Sequence, residues 1–207
     1  MIKSMTKAKG ALAVCTVVIA ASAFASGGGG GNQDSTDPTQ HFHPKGKPPS
    51  EYTLNILQAA RESLPFDDTR DFDEARRGLI APLDTYIIEA DAGGIAWNIE
   101  RYDFLKAEQD WPSVHPSTQR QGHLNQITGL FEVTDGIYQI RGNDLANITF
   151  VRGNTGWIVF DPNTAAETAR AGLTLINREI EELPVVAVIY SHSHGDHFGG
   201  VRGVVDA

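Results

Sequence analysis

The sequence predicts one mixed domain of the α+β or α/β class, and three observations lead to this prediction. Four short segments rich in β-branched and aromatic residues follow one another between turns, at 130–133, 137–141, 146–152 and 156–161. A stretch with the apolar spacing of a helix comes next, between 164 and 183. An apolar run at 185–190 then has the length and composition of a buried strand. We therefore expect an antiparallel meander followed by a helix and a further strand.

The helix has a start signal and a face to bury. Thr164 is followed three residues later by Glu167, which is the spacing of a capping box. Apolar residues then recur at spacings of three and four, at Ala169, Leu173, Ile176, Ile180 and Leu183. One side of this helix should pack on the sheet.

The preceding part, 51–128, is predicted to be a helical and hairpin extension of a domain that covers 129–207. Helices are expected at 51–64 and 71–80, and two strands at 85–90 and 94–99. The stretch 106–121 is expected to be a loop because it contains Pro112 and Pro116. His115 and His123, in or near that loop, are interpreted as structural or surface residues.

The N-terminus is typical of an exported protein. Residues 1–25 carry three lysines and an apolar stretch that ends in Ala23-Phe24-Ala25, which has the form of a signal-peptide cleavage site. An uncleaved anchor is the alternative, but the apolar stretch is shorter than the roughly 20 residues of a spanning helix. We expect a periplasmic or secreted protein without a stable membrane span. The glycine- and proline-rich residues 26–50 should be a disordered linker, and His41 and His43 within it a solvated pair.

The amino-acid composition limits which partners and metal ligands are expected. The chain of 207 residues has 26 acidic against 17 basic residues and a net charge of −9, so nothing indicates a nucleic-acid partner. An anionic substrate would need local positive charge, for example from a metal ion. The only cysteine is Cys15, within the predicted signal peptide. Disulfides are therefore not expected, and metal ligands must be histidines and carboxylates.

The segment 191–200, Ser-His-Ser-His-Gly-Asp-His-Phe-Gly-Gly, is a candidate metal site directly after the last predicted strand. His192 and His194 are two residues apart, so an extended chain points both to one side. A turn at Gly195 would direct Asp196 and His197 toward a second position. Imidazole and carboxylate ligands suit zinc and, less exclusively, iron or manganese. Two zinc ions would lower the pKa of a shared water toward roughly 7, for metal-assisted hydrolysis. Asp196 is also a candidate catalytic residue that orients this water.

Two alternatives remain for this segment: a purely structural metal site, and a loop that binds nothing. Structural zinc sites usually use cysteine, which the mature chain would lack. We therefore favour a catalytic type of site.

The pattern His-x-His-x-Asp-His at 192–197 resembles that of the metallo-β-lactamase superfamily. Asp161 matches the aspartate that this family places beneath its metal loop, where it orients the loop or a ligand histidine; Asp161 is also interpretable as an acid at a helix N-terminus. Beyond the motif, the chain is similar to the alkyl sulfatases, the dodecyl sulfate hydrolases, from about 71 to 205. The segments that carry this similarity are 72–81, 124–142, 147–149, 155–162 and 188–194.

This resemblance implies a zinc enzyme with two metal ions that hydrolyses linear alkyl sulfates to alcohol and sulfate, and that forms a homodimer. It implies the αββα sandwich of that family, with only the N-terminal half in these residues, because the family's later ligands have no counterpart here. The chain would then be a fragment. The alternatives are a lactonase or β-lactamase-like hydrolase of the same fold and a non-catalytic exported metal-binding module. Three arginines could hold a sulfate or lie on the surface, and these are Arg120, Arg141 and Arg152.

Overall fold

The structure of the protein is a computed structural model that describes residues 48–107 and 111–205. The predicted signal peptide, nearly all of the predicted linker, and His41 and His43 lie outside these residues. Within the described ranges, no helix is both long enough and apolar enough to cross a membrane.

A six-stranded sheet forms the centre of the domain. Its spatial order is β1-β4-β5-β6-β7-β8, and the strands are β1 Leu79–Ala81, β4 Gly129–Thr134, β5 Ile137–Arg141, β6 Ile148–Arg152, β7 Trp157–Phe160 and β8 Val185–Ile189. The neighbours from β1 to β7 are antiparallel, as the turn residues between β4, β5, β6 and β7 predict. The predicted meander is confirmed.

The last two strands are parallel and are joined by α4, Ala166–Glu179. Phe160 pairs with Ile189, so β7 and β8 end at the same edge of the sheet. Two loops leave that edge side by side, the one after β7 and the one after β8. This arrangement brings Asp161 next to the histidine segment.

The core lies between the sheet and α4. Trp157, Phe150, Ile140 and Ile176 are fully buried. The Trp157 ring meets Tyr138 and Phe150 edge-on, with centroids 5.9 and 6.1 Å apart, an arrangement that aromatic pairs prefer. Its indole N–H donates to Asn177 Oδ1 on α4 at 2.8 Å, so the sheet and the helix share both apolar and polar contacts.

The extension before β4 packs further elements around this sheet. They are α1 Glu51–Ser63, α2 Arg70–Arg76, the hairpin of β2 Ile87–Glu89 and β3 Ile95–Asn98, a 3-10 helix Ile99–Lys106, and α3 Pro116–Leu124. The predictions for α1 and for the two-stranded hairpin are confirmed.

Two predictions for the extension are wrong. The helix expected at 71–80 ends at Arg76, because Gly78 takes φ +77 and the chain continues as β1, which pairs with β4. The loop expected at 106–121 contains α3. Pro116 starts this helix at a position where a missing N–H costs nothing, and His115 Nδ1 accepts from Ser117 N at 3.2 Å as the cap.

Two predictions for the βαβ unit also need correction. The expected capping box is absent: Ala165 is the N-cap of α4, and Glu167 instead accepts a hydrogen bond from Asp91 N at 2.8 Å. The strand β8 is not buried, since Val186 is 49% and Ile189 43% exposed. It is an edge strand of this sheet, and among the described residues nothing pairs with its outer side.

A buried polar network fixes the loop between β7 and α4. Asp144, only 5% exposed, accepts hydrogen bonds from Thr164 N at 3.1 Å, Thr164 Oγ1 at 2.7 Å and Thr168 Oγ1. Asn163 is fully buried and its amide donates to Ala146 O at 2.8 Å. Thr164 therefore serves this network rather than capping the helix.

We expect Asp144→Ala to lower the free energy of unfolding by about 2 kcal/mol, because it removes the acceptor of the part-buried Thr164 N–H and hydroxyl and one of two acceptors near the buried Thr168 hydroxyl. Asp135→Ala, in an exposed turn of the same sheet, should change it by less than about 0.5 kcal/mol. Urea denaturation of the two variants measures the difference. Equal stability of the two would show that the network does not hold the loop.

Candidate metal centre

The site begins with an unusual backbone at the end of β7. Asp161 and Asn163 have φ values of +53 and +60, and they flank the buried Pro162. Left-handed backbone is uncommon outside glycine, although Asp and Asn adopt it more readily than other residues. Asn163 N donates to Asp161 O at 2.7 Å, which closes the turn. The turn directs the Asp161 carboxylate toward the end of β8.

The Asp161 carboxylate contacts the histidine segment at two places. Oδ1 accepts from Ser191 N at 2.7 Å, and Oδ2 accepts from Ser191 Oγ at 2.6 Å. Oδ2 also lies 2.9 Å from His197 Nδ1. One side chain on the loop after β7 thus holds both ends of the segment after β8.

These contacts determine the charge of Asp161. Burial raises the pKa of its carboxyl, but the hydrogen bonds from Ser191 and the nearby His197 more than offset burial, so the pKa lies below the usual range. Asp161 is therefore ionised at neutral pH.

Ser191 also orients the His192 ring. Its Oγ lies 2.9 Å from His192 Nδ1. A serine hydroxyl has one proton, and here it is donated to Asp161, so the Nδ1 of His192 must be the donor to Ser191 Oγ. The lone pair of a neutral His192 is then on Nε2, the nitrogen that remains available to a metal ion.

The predicted ligands come together at this edge. The His192 ring centroid is 4.6 Å from that of His194 and 4.0 Å from that of His197. His197 Nε2 lies 3.2 Å from Asp196 Oδ2. His192 and His194 are exposed, whereas the His197 and Asp196 side chains are 22% and 25% exposed. The segment therefore presents two accessible imidazoles beside a half-buried histidine and carboxylate.

The donor set fits zinc, since imidazole and carboxylate are its ligands where cysteine is absent. His197 Nδ1 faces the Asp161 carboxylate at 2.9 Å, so Nε2, on the side of Asp196, is the nitrogen that a metal ion would use. However, across residues 48–107 and 111–205 no group of three or more His, Cys, Asp or Glu side chains is arranged to enclose an ion. His192, His194, Asp196 and His197 are the groups that would hold a metal, after side-chain rotation.

Glycines hold the segment after the histidines against the start of α4. A Cβ on Gly200 would collide with Pro162 O, and one on Gly199 with Thr164 O. Gly200 N donates to Asn163 O at 2.9 Å. These close approaches need glycine and lock the end of the histidine segment to the turn that carries Asp161.

Sequence reasoning located the histidines and Asp161 but missed three supporting residues. Ser191 had a signal, a hydroxyl residue directly before the first histidine. Asp144 had none, because its segment has the composition of an ordinary turn. Asn163 had only a weak sequence signal, since asparagine tolerates a left-handed backbone conformation.

Comparison with known proteins supports the fold. A sequence model of the metallo-beta-lactamase superfamily matches residues 141–207. The fold is similar to part of a sec-alkylsulfatase from Pseudomonas sp. that is described as stereoselective and inverting. The TM-score is 0.69 and the identity 45%, over 77% of this chain and 25% of that one. Over about three quarters of its length the chain is similar to alkylsulfatases, and its last third matches the metallo-β-lactamase superfamily.

Two curated relatives of this alkylsulfatase-like chain have similar identity. It is 48% identical to a linear primary-alkylsulfatase of Pseudomonas sp., over 77% of this chain and 24% of that one. It is 46% identical to an alkyl/aryl-sulfatase of Saccharomyces cerevisiae, over 72% of this chain and 23% of that one. The chain thus spans about a quarter of the length of these relatives.

We expect Asp161→Asn to weaken zinc binding by about 10- to 100-fold, the usual effect of removing a group that orients metal ligands. Asparagine keeps the shape but loses the charge and one acceptor. Competition with a chelating dye measures the affinity, and Asp135→Asn in the exposed turn is the matched control. Equal affinities of the two variants would contradict the role given to Asp161.

Proposed function

We propose that this chain carries metal ligands of a zinc-dependent hydrolase that cleaves linear alkyl sulfate esters into alcohol and sulfate. The observation that carries the proposal is the Asp161 carboxylate bound to Ser191 and next to His197, beneath the exposed His192 and His194. The alkylsulfatase relatives supply the substrate class, since their names refer to alkyl sulfates.

The metal would be held by His192, His194, Asp196 and His197. When bound, zinc supplies a Lewis acid that lowers the pKa of water and offsets the negative charge of a sulfate group. Asp196, with a carboxylate one quarter exposed, accepts a hydrogen bond from the attacking water and orients it. Asp161 keeps His192 and His197 in place and does not contact substrate.

Electrostatics support a metal at this position. The chain has a net charge of −9, so its overall field repels a sulfate ester. Among residues 48–107 and 111–205, no arginine or lysine forms a hydrogen bond or ion pair with the histidine segment, so these side chains do not offset the repulsion there. A divalent cation would supply the attraction locally.

Another hydrolase of the superfamily, such as a lactonase or β-lactamase-like enzyme, is the second candidate, because the superfamily model covers the histidine segment. The alkylsulfatase alignment favours the first, since it extends over 161 residues and includes much of the chain before residue 141. Export to the periplasm or outside the cell and homodimerisation belong to this proposal as well. The N-terminal sequence supports export, and the resemblance to the family supports the dimer.

We expect a chimera to release sulfate when this chain replaces the segment it aligns with in the linear primary-alkylsulfatase of Pseudomonas sp. Inorganic sulfate released from decyl sulfate, below the micelle concentration and with zinc present, measures the activity. His194→Ala should lower it by more than about 100-fold, because a metal ligand is lost.

The control for that experiment is His115→Asn, a histidine replacement outside the loop that keeps a capping side chain at the start of α3. This variant should retain activity. A folded, zinc-loaded chimera that hydrolyses a lactone but no alkyl sulfate would support the second candidate. A folded, zinc-loaded chimera that hydrolyses neither substrate would support the third interpretation, a non-catalytic metal-binding module.

A further inference from the structure

A large cavity opens at the same end of the sheet as the histidine segment. Its volume is about 840 Å³, in the range of small-molecule sites. The strand pairings give its position. Arg141, which lines the cavity, is the last residue of β5, and its neighbour Ile140 pairs with Ile148 at the start of β6. The next residue of β6, Thr149, pairs with Phe160 at the end of β7, and Phe160 pairs with Ile189 just before the histidine segment. None of the three histidines of the segment lines it.

Most of the wall is apolar. The 3-10 helix and α3 contribute Tyr102, Leu105 and Leu124, and the hairpin and the approach to β4 contribute Trp97 and Ile127. The Trp97 N–H already donates to Gly142 O at 2.8 Å, so this indole presents its ring rather than its polar atom. Such a wall suits the apolar body of a ligand.

The carboxylates that line the cavity are already bound. Asp71 accepts from Arg120 at 2.6 Å through both oxygens, and Glu74 lies 2.5 Å from Arg77. Both oxygens of Asp144 accept from the buried network of Thr164 and Thr168. None of these three carboxylates is therefore available to bind a cationic ligand in the cavity.

Arg141 is the exception. It forms no ion pair with any residue of the described ranges, and its guanidinium lies 4.2 Å from the centroid of the fully buried Phe131 ring. Nε donates to Gln139 at 2.8 Å and NH1 to Ala75 O at 3.4 Å, which leaves further N–H groups without an acceptor. Burial lowers the pKa of Arg141, but an arginine remains protonated. Arg141 is thus partly buried and lines the cavity.

Arg120 and Arg152, the other two candidates, are occupied. Arg120 is committed to Asp71 and to the carbonyl oxygens of Phe66 and Asp68. Arg152 pairs with Glu181 at the opposite end of the sheet. Arg141 alone combines spare donors, burial and a cavity.

We propose that this cavity binds an organic anion with an apolar body, whose anionic head pairs with Arg141 and whose body lies against Trp97, Leu105 and Ile127. A guanidinium offers two parallel N–H donors to a sulfate, sulfonate or carboxylate head. The site stands on the cavity and on Arg141, so it does not depend on whether the chain hydrolyses a sulfate ester.

Binding of octane-1-sulfonate by the complete chain tests the proposal. This probe resembles an alkyl sulfate but has no ester to hydrolyse, and EDTA in the buffer removes the metal loop from the measurement. Isothermal titration should show one site, and octyl glucoside, with the same tail and a neutral head, should bind at least about tenfold more weakly. Inorganic sulfate should also bind at least tenfold more weakly, since it lacks the apolar body.

Arg141→Gln should weaken octane-1-sulfonate at least tenfold and leave octyl glucoside unchanged. Arg152→Gln, on the same sheet but at the other end, is the matched control and should bind like the wild type. Circular dichroism checks that the variants fold. If Arg141→Gln unfolds, the comparison of octane-1-sulfonate with octyl glucoside on the wild-type chain still tests the proposal. Equal binding of the neutral and anionic probes, or of the two arginine variants, would overturn the proposal.

Discussion

The structure depends on one carboxylate, that of Asp161, which joins two neighbouring parallel strands where both end. It receives Ser191 N and Oγ and lies next to His197 Nδ1. Through the Ser191 hydroxyl it also determines which nitrogen of His192 keeps its lone pair. A negative charge that approaches the imidazoles from below makes them better ligands for a cation. The charge of Asp161 therefore orients the side chains of the candidate metal ligands.

The position of Asp161 has a structural cost, and the surrounding residues offset it. Left-handed backbone at Asp161 and Asn163 is unfavourable by about 1 kcal/mol or more at each residue. Asn163 offsets it with hydrogen bonds to Ala146 and Gly200, and Asp144 holds Thr164 beside it. The same Asp144 lines the cavity of Arg141. One polar network therefore underlies both the metal loop and the proposed anion site at this end of the sheet.

The sequence was informative where a pattern is local. Turn residues predicted the meander, and the spacing of the histidines predicted that they lie close together on one loop, because such spacing depends on few neighbours. Asp161 is 30 residues away, and only the family resemblance indicated that it lies beside that loop. It failed where tertiary contacts decide. Leu79–Ala81 forms a strand because β4 is available to pair with it. The Thr164 hydroxyl donates to Asp144 and does not cap the helix. The strand β8 has the composition of a buried strand but lies at the edge of the sheet. Arg141 could not be separated from Arg120 and Arg152 without knowing their partners.

The central claim is that Asp161 acts on the metal ligands through Ser191, and a double-mutant cycle on zinc affinity tests it most directly. The variants are Asp161→Asn, Ser191→Ala and the two combined, each measured by competition with a chelating dye. If Ser191 transmits the effect of Asp161, the double variant should bind zinc about as weakly as Asp161→Asn alone, since the second change removes a contact already lost. Losses of free energy that add up in the double variant would show that the two residues act independently and would contradict the account.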